Sequence, residues 1–192
     1  VVILDPTYPM YEVLCNLHGV KCKKWKFNKS LSLEINDLKK IITNKTKVIF
    51  LVNPNLPIEF EFNDKLKKEI YKMCIKKNII IAYDEAYYHF GSKTEIKNAI
   101  TKKNIIVMRT FSKAWGLPSI RLGFLVTNKK LCEYISKCRS LVETNALSYQ
   151  IAMWALSNKK ILNNHVSQIK SGSKFIHKNL KKSNISFRGG NV

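Results

Sequence analysis

One short stretch of the sequence places two hydroxyl groups, a lysine and an arginine after an apolar run. Residues 105–108 (Ile-Ile-Val-Met) predict a buried strand, and residues 110–113 (Thr-Phe-Ser-Lys) follow it directly. Arg121 comes eight residues after Lys113. Hydroxyls and a guanidinium bind anions, and a lysine amine that burial or neighbouring cations keep neutral can attack a carbonyl carbon. We therefore expect an anionic ligand that reacts with Lys113.

A carboxylate, Asp84, ends a second apolar run at residues 79–83. A carboxylate at the end of a buried strand is partly desolvated and requires a cation or a hydrogen-bond donor. One interpretation is a P-loop hydrolase, in which Asp84 and Glu85 would hold Mg²⁺. That class requires a G-x-x-x-x-G-K-[ST] loop, and none of the seven glycines begins one. A second interpretation is that Asp84 caps the following turn through its side chain.

A third interpretation gives these groups one shared ligand, a phosphorylated aldehyde that forms a Schiff base with Lys113. The phosphate would be bound by the neighbouring hydroxyls and guanidinium, Thr110, Ser112 and Arg121. Asp84 would keep a pyridine nitrogen of the ligand protonated, so that the ring withdraws electrons from the substrate carbon. Tyr87 could donate a hydrogen bond to the ring's phenolic oxygen, and Tyr8 could stack on the ring face.

Apolar runs alternate with amphipathic stretches, and this alternation predicts the elements that position the site. Strands are predicted at residues 1–4, 20–27, 47–52, 79–83, 104–108, 122–127 and 185–188. Helices are predicted at residues 9–19, 32–43, 63–77 and 94–102, and from 129 to about 182. This order indicates an α/β fold with a mostly parallel sheet of about seven strands between helices. Polar clusters follow four of the strands, at the edge where ligands bind such sheets.

The composition limits the classes of function. The net charge of +21 would suit a nucleic-acid-binding module, which is kept as a distant alternative. However, only four of the 34 basic residues are Arg, the residue that geometrically strict phosphate recognition favours, so we predict no nucleic-acid partner. No apolar run approaches the roughly 18 residues of a membrane span, and no secretory leader is visible. Five cysteines without C-x-x-C spacing predict reduced thiols, no metal site and a cytoplasmic protein.

The motifs together resemble a known family of enzymes. Residues 84–87 (Asp-Glu-Ala-Tyr), then 110–113 (Thr-Phe-Ser-Lys) with Arg121 eight residues on, are similar to fold-type I pyridoxal-phosphate enzymes. More narrowly, they resemble the histidinol-phosphate aminotransferase branch of the class I/II aminotransferases. Residues 6–11 (Pro-Thr-Tyr-Pro-Met-Tyr) also match that branch. The resemblance covers roughly residues 1–190.

By this resemblance the cofactor is pyridoxal 5′-phosphate, and Lys113 is the lysine that forms the Schiff base with it. Asp84 would pair with the pyridinium nitrogen and Tyr87 would donate to the phenolate oxygen. Tyr8 would pack against the ring. The phosphate ligands would be Thr110, Ser112 and Arg121. The two remaining tyrosines of these motifs, at positions 11 and 88, are interpreted as packing residues.

One motif departs from the family pattern. The family usually carries Asn-Pro-Asn-Asn-Pro-Thr-Gly after the third strand, whereas residues 53–59 here read Asn-Pro-Asn-Leu-Pro-Ile-Glu. The position whose amide usually contacts the ring oxygen aligns with Leu56, which has no donor. The adjacent Asn55 is therefore the candidate for this cofactor contact. The loss of glycine at position 59 also reduces the backbone freedom of the loop.

The resemblance implies amino transfer between a small amino donor and a keto acceptor in amino-acid biosynthesis, with an amino acid or an amino-phosphate such as histidinol phosphate as substrate. A related phospho-amino-acid decarboxylase of the threonine-phosphate type uses nearly the same site and stays open as an alternative. A homodimer is expected. Residues 1–158 would form the large cofactor-binding domain, and 159–192 would begin a small C-terminal α+β domain. Because the chain lacks a starting methionine, we expect a piece of a longer protein that lacks both ends.

Overall fold

The fold is built on one twisted sheet, seen in a computed structural model that describes residues 1–187 and 189. The six strands are β1 (Val2–Asp5), β2 (Lys23–Lys26), β3 (Val48–Val52), β4 (Ile80–Asp84), β5 (Ile105–Thr110) and β6 (Gly123–Thr127). Their spatial order is β2-β1-β3-β4-β5-β6, with β1 to β5 parallel and β6 antiparallel to β5. The predicted α/β fold with a mostly parallel sheet is confirmed. The sheet has six strands instead of about seven, because residues 185–187 form no strand; Arg188, the last residue of that predicted strand, lies outside the described residues.

Seven helices connect and cover the strands within the described part of the chain. They are α1 (Met10–Leu17), α2 (Ile35–Ile41), α3 (Asp64–Lys76), α4 (Ile96–Thr101), α5 (Lys129–Ser136), α6 (Ala146–Ser157) and α7 (Lys159–Lys182). Three of them begin at an asparagine whose side chain accepts a hydrogen bond from the N–H three residues on: Asn63, Asn128 and Asn145. Such caps satisfy N–H groups that have no partner inside the helix, and so fix where α3, α5 and α6 start.

Two apolar clusters hold the sheet and the loop after β5. The larger cluster packs α2, α3 and α4 against the strands, with Ile49, Ile81 and Val107 fully buried. Strands that are buried in this way read as continuous apolar runs, which is why the sequence locates them well. The smaller cluster packs Phe111 and Trp115 of the loop after β5 against residues of α6 and α7. That packing immobilises the segment that carries the predicted reactive lysine.

Gly123 is required where β6 meets β5. It pairs with Thr110 in the antiparallel register, and a Cβ built on Gly123 would lie 2.7 Å from the backbone carbonyl oxygen of Arg109. No side-chain rotation can relieve a contact with backbone, so a Gly123→Ala change must push the two strands apart. We expect the free energy of unfolding to fall by about 1–3 kcal/mol, the usual range for overpacking, as measured by urea denaturation.

The matched control for this change is Gly172→Ala in α7. A Cβ on Gly172 meets no atom within 4 Å, and alanine favours a helix over glycine by roughly 0.5–1 kcal/mol. The control protein should therefore be as stable as the original or slightly more stable. Equal stability of the Gly123→Ala and Gly172→Ala proteins would show that β5 and β6 do not need their close approach.

Candidate active site

The carboxyl ends of β1, β4 and β5 border a cleft of about 910 Å³. This volume falls within the roughly 300–1,000 Å³ of small-molecule sites. Seven of the eight site residues that the sequence predicts line the cleft: Tyr8, Asp84, Tyr87, Thr110, Ser112, Lys113 and Arg121. The described residues contain no cluster of three His, Cys, Asp or Glu that could hold a metal ion. In the same part of the chain, no helix is long and apolar enough to cross a membrane.

Lys113 sits on a rigid turn that faces Tyr87. Its carbonyl accepts a hydrogen bond from the N–H of Gly116 at 2.9 Å, and Gly116 adopts the left-handed φ of +66° that this turn needs. The Lys113 side chain is exposed, and its Nζ lies 5.3 Å from the centre of the Tyr87 ring. Ala114 and Trp115, directly after it, are buried. The buried residues that follow Lys113 thus anchor the turn, and the Lys113 side chain lines the cleft.

Asp84 ends β4 with both carboxylate oxygens engaged. Oδ2 accepts a hydrogen bond from the hydroxyl of Tyr11 at 2.5 Å, and Oδ1 accepts one from the N–H of Ala86 at 3.0 Å. Burial raises the pKa of Asp84, while these two hydrogen bonds and the charge of Lys113 oppose the rise. The hydrogen bond from the N–H of Ala86 caps the turn that follows β4, as in the second interpretation of Asp84 from the sequence. Asp84 also lines the cleft, where a cation would offset the cost of desolvation.

Two tyrosines of the segment after β1 differ in their surroundings. Tyr8 lines the cleft with more than half of its surface exposed, and its ring meets the ring of Tyr11 edge-on at 6.0 Å. The sequence predicts a packing role for Tyr11, but its hydroxyl binds Asp84 directly. The sequence offers one signal for this second role: Tyr11 follows Tyr8 by three residues in the first turn of a helix that starts at the carboxyl end of a strand.

The expected anion-binding groups lie together on the loop after β5. The Thr110 hydroxyl oxygen accepts a hydrogen bond from the N–H of Ser112 at 3.0 Å, which folds the start of the loop over the strand end. Arg121 follows a 3₁₀ turn at Pro118–Ile120 and has a left-handed φ of +49°. One Nη of Arg121 donates to the carbonyl of Pro118 at 2.9 Å. This leaves the other guanidinium nitrogens able to donate to an anion in the cleft.

A buried ion pair ties the ends of β4 and β5 together. Arg109 donates from Nε and Nη2 to one oxygen of Glu85, at 3.0 and 2.8 Å, and its guanidinium lies 3.9 Å from the centre of the Tyr88 ring. The Glu85 carboxylate also accepts hydrogen bonds from the Thr94 hydroxyl and the N–H of Glu95. Such a fully bonded pair fixes geometry. It therefore holds the strand ends that carry the carboxylate and the lysine in a constant relation.

Asn55 is not brought into the cleft, and the expectation that it contacts a cofactor is corrected. Its side chain is fully buried, donating to the carbonyls of Pro6 at 3.0 Å and Ile58 at 3.4 Å, and accepting from the Thr7 hydroxyl at 2.7 Å. These bonds hold the loop after β3 against the segment after β1. Leu56 lines the cleft at this place instead. The Asn55 amide, which the sequence predicts as a cofactor contact, therefore stabilises the loop that borders the cleft.

Comparison with known proteins gives consistent matches. The model of the family described as aminotransferase class I and II matches residues 1–191. The chain is 35% identical over 176 residues to the histidinol-phosphate aminotransferase of Hydrogenobaculum sp. (strain Y04AAS1), covering 92% of this chain and 47% of that protein. It is 30% identical over 189 residues to the enzyme of the same name from Parabacteroides distasonis, covering 98% and 54%. The chain thus spans about half the length of the curated relatives it matches.

Solved structures show the same fold. The crystal structure of histidinol-phosphate aminotransferase from Sinorhizobium meliloti, in complex with pyridoxal-5′-phosphate, superimposes with a TM-score of 0.85 at 20% sequence identity. The match covers 99% of this chain and 52% of that one. The histidinol-phosphate aminotransferase of Clostridium acetobutylicum gives a TM-score of 0.82 at 23% identity. That match covers 94% of this chain and 55% of the other. At these identities the likeness establishes the fold.

Proposed function

The chain belongs to the aminotransferase class I and II family, a family of pyridoxal-phosphate-dependent enzymes, and from this premise we propose that its cleft is the cofactor site of an aminotransferase. The observation that carries the proposal is the convergence on one cleft of Tyr8 after β1, Asp84 at the end of β4, and Lys113 and Arg121 of the loop after β5. The relatives named above act, by their names, on histidinol phosphate. We propose an amino acid or an amino-phosphate of that kind as the amino donor, and a small keto acid as the acceptor.

The residues of the cleft fit this cofactor chemically. A buried carboxylate suits a protonated ring nitrogen, and two hydroxyls with a guanidinium suit a phosphate. Lys113 and Tyr87, which lie against each other, add an amine and a hydroxyl to the lining of the same cleft. When bound, pyridoxal phosphate supplies an aldehyde that links to amines and a ring that withdraws electrons from the substrate's α-carbon.

Each residue would then have a defined role. Asp84 would hold a proton at the ring nitrogen, and Tyr87 would donate to the phenolate oxygen. The amine of Lys113 would supply the nucleophile for the cofactor aldehyde and, when free, the general base that takes the proton from the substrate's α-carbon and returns it as an acid. Thr110, Ser112 and Arg121 of the loop after β5 would bind the phosphate.

The function is tested on the full-length protein by absorbance with pyridoxal phosphate. We expect the absorption near the edge of the visible range that the cofactor acquires on linkage to a lysine, and we expect it to change on adding a competent amino donor such as histidinol phosphate. Appearance of the keto product, with transfer of the amino group to a keto acid, establishes amino transfer. Release of carbon dioxide instead assigns the phospho-amino-acid decarboxylase, and failure to take up the cofactor refutes both.

The assembly and the division of the chain are also proposals. We propose a homodimer, because α1 and α6 expose large apolar side chains that a partner could cover: Val13, Leu14, Leu17, Met153 and Trp154. We propose the cytoplasm as its location, because that compartment keeps cysteines such as these five reduced. We further propose that residues 1–158 form the large domain and that 159–192 begin the small one. The break between α6 and α7 at Asn158 supports this boundary.

A further inference from the structure

Tyr11 connects α1 to the carboxylate at the end of β4. Its ring packs against Phe50 of β3, with ring centres 4.6 Å apart, and this packing would be served equally well by phenylalanine. The hydroxyl, however, donates to Oδ2 of Asp84 at 2.5 Å, across 73 residues of sequence. Burial, followed by the charge of Asp84, raises the pKa of Tyr11, so this hydroxyl stays protonated and remains a donor throughout the working range of pH.

The bond matters because Asp84 is desolvated. Burial favours the protonated form of the carboxyl, and only a few groups act against it. The titratable groups that face Asp84 are Tyr11 and Lys113, with Tyr8 beside Tyr11, and the remaining donor is the N–H of Ala86 on the other oxygen. Each carboxylate oxygen has two acceptor positions. Oδ2 can therefore keep its bond to the tyrosine and still accept one from a ring N–H.

We propose that Tyr11 is a positioning residue of this site, whose hydroxyl fixes the Asp84 carboxylate in its charged form and aims its free acceptor position at the cleft. The inference rests on the proposed function, since the purpose of a charged Asp84 is to hold a ring proton. Tyr11 touches neither the cofactor phosphate nor the reacting carbon in this scheme. It acts through Asp84.

The test is a Tyr11→Phe substitution in the full-length protein, read by ¹³C NMR titration of the Asp84 carboxyl in the cofactor-free form. Loss of the donor should move the midpoint of the Asp84 titration upward by about one pH unit, which corresponds to about 1.4 kcal/mol. Since Asp84 is then neutral at a higher pH, affinity for pyridoxal phosphate should decline from a correspondingly higher pH as the solution is acidified. Equilibrium dialysis across pH measures this second effect.

Tyr83→Phe is the matched control. Tyr83 is buried on β4 beside Asp84, and the substitution removes the same oxygen atom from a side chain that packs in the main core. It should leave both the Asp84 midpoint and the pH dependence of cofactor binding unchanged. A second variant keeps the packing of Tyr11 intact: 3-fluorotyrosine at position 11 is a stronger donor and should move the Asp84 midpoint downward.

The outcomes separate this inference from the proposed function. If the original protein binds no pyridoxal phosphate at any pH, the proposed function fails. If the original protein binds it and Tyr11→Phe binds it with the same pH dependence, the function stands and the role of Tyr11 is overturned. An Asp84 midpoint that is equal in the original, the phenylalanine and the fluorotyrosine proteins also overturns it. An Asp84 midpoint that moves upward in the phenylalanine protein and downward in the fluorotyrosine protein supports the role of Tyr11.

Discussion

Replacing Lys113 with alanine is expected to lower the rate of amino transfer by at least about 10⁴-fold, because in the proposed function this one side chain supplies both the nucleophile and the general base. The structure puts this amine 5.3 Å from the centre of the Tyr87 ring and in the same cleft as Asp84. No other lysine lines the cleft among the described residues. The loss is measured as keto-acid formation by full-length protein, and the absorption near the visible edge should vanish with it.

Two control variants make the result specific to the amine. Lys113→Arg keeps the positive charge near Asp84, but a guanidinium stays protonated and cannot act as a nucleophile, so the rate should fall as far as in Lys113→Ala. Lys130→Ala removes a lysine of α5 that lies away from the cleft, and should leave the rate unchanged. Activity of Lys113→Ala within tenfold of the original would mean that another group carries out the reaction.

The strands and their polar ends could be predicted because they depend on local composition. A strand buried on both faces is a run of apolar residues, and the residue that ends it lies at the sheet edge wherever the sheet is placed. Asp84 and the loop from Thr110 to Lys113 follow from this rule alone. The order of the strands and the antiparallel direction of β6 do not, since they depend on pairings between distant segments.

The correction at Asn55 and the missed hydrogen bond of Tyr11 have the same physical origin. Asn55 and Leu56 are neighbours at the start of a turn, and the backbone path of that turn, which the sequence does not specify, decides which side chain enters the cleft. Tyr11 is 73 residues from the carboxylate it binds, and a tyrosine that packs and a tyrosine that donates look identical in a sequence. Local pattern thus located the site but could not assign the partner of each side chain.

Arg109 illustrates the same limit for charges. In the sequence it is a second cation close to the reactive lysine, but the structure commits its guanidinium to Glu85 and to the ring of Tyr88. Glu85 is fully buried, and breaking a buried pair is far more costly than losing an exposed one. The charge of Arg109 therefore joins β4 to β5. Arg121 is the other arginine in the lining of the cleft, and the one that the proposed function assigns to the phosphate.

Changing Asp84 to asparagine is expected to reduce amino transfer by about 10²–10³-fold, the usual loss when one preorganised electrostatic group is removed from an active site. Asparagine is similar in shape: its single oxygen can keep the bond from the N–H of Ala86, and its Nδ2 can donate to the hydroxyl oxygen of Tyr11. It is uncharged, however, and cannot keep a ring nitrogen protonated. Affinity for pyridoxal phosphate should fall as well, by roughly 10- to 100-fold, since a hydrogen bond to a charged group contributes about 1.5–3 kcal/mol.

The stability of the cofactor-free protein separates this role from a structural one. Because burial raises the pKa of Asp84 in the folded chain, the folded state binds the Asp84 proton more tightly than the unfolded state does. The contribution of Asp84 to the free energy of unfolding is therefore fully present at low pH. It declines as the pH rises from about 3.9, the ordinary pKa of an aspartate, through the higher pKa of Asp84 in the folded chain. Asp84→Asn removes that decline, so the cofactor-free variant should be at least as stable as the original at pH 7.

Asp64→Asn is the control, because Asp64 is an exposed carboxylate whose ion pair with Lys93, at 3.3 Å, lies outside the cleft. It should change neither activity nor cofactor affinity. A stable Asp84→Asn protein with a roughly 10²-fold lower rate would place the defect in the chemistry, because the loss of one preorganised charge slows the reaction without unfolding the chain. An unstable variant with full activity per folded molecule would instead show that Asp84 has only a structural role, in which it caps the turn by accepting a hydrogen bond from the N–H of Ala86.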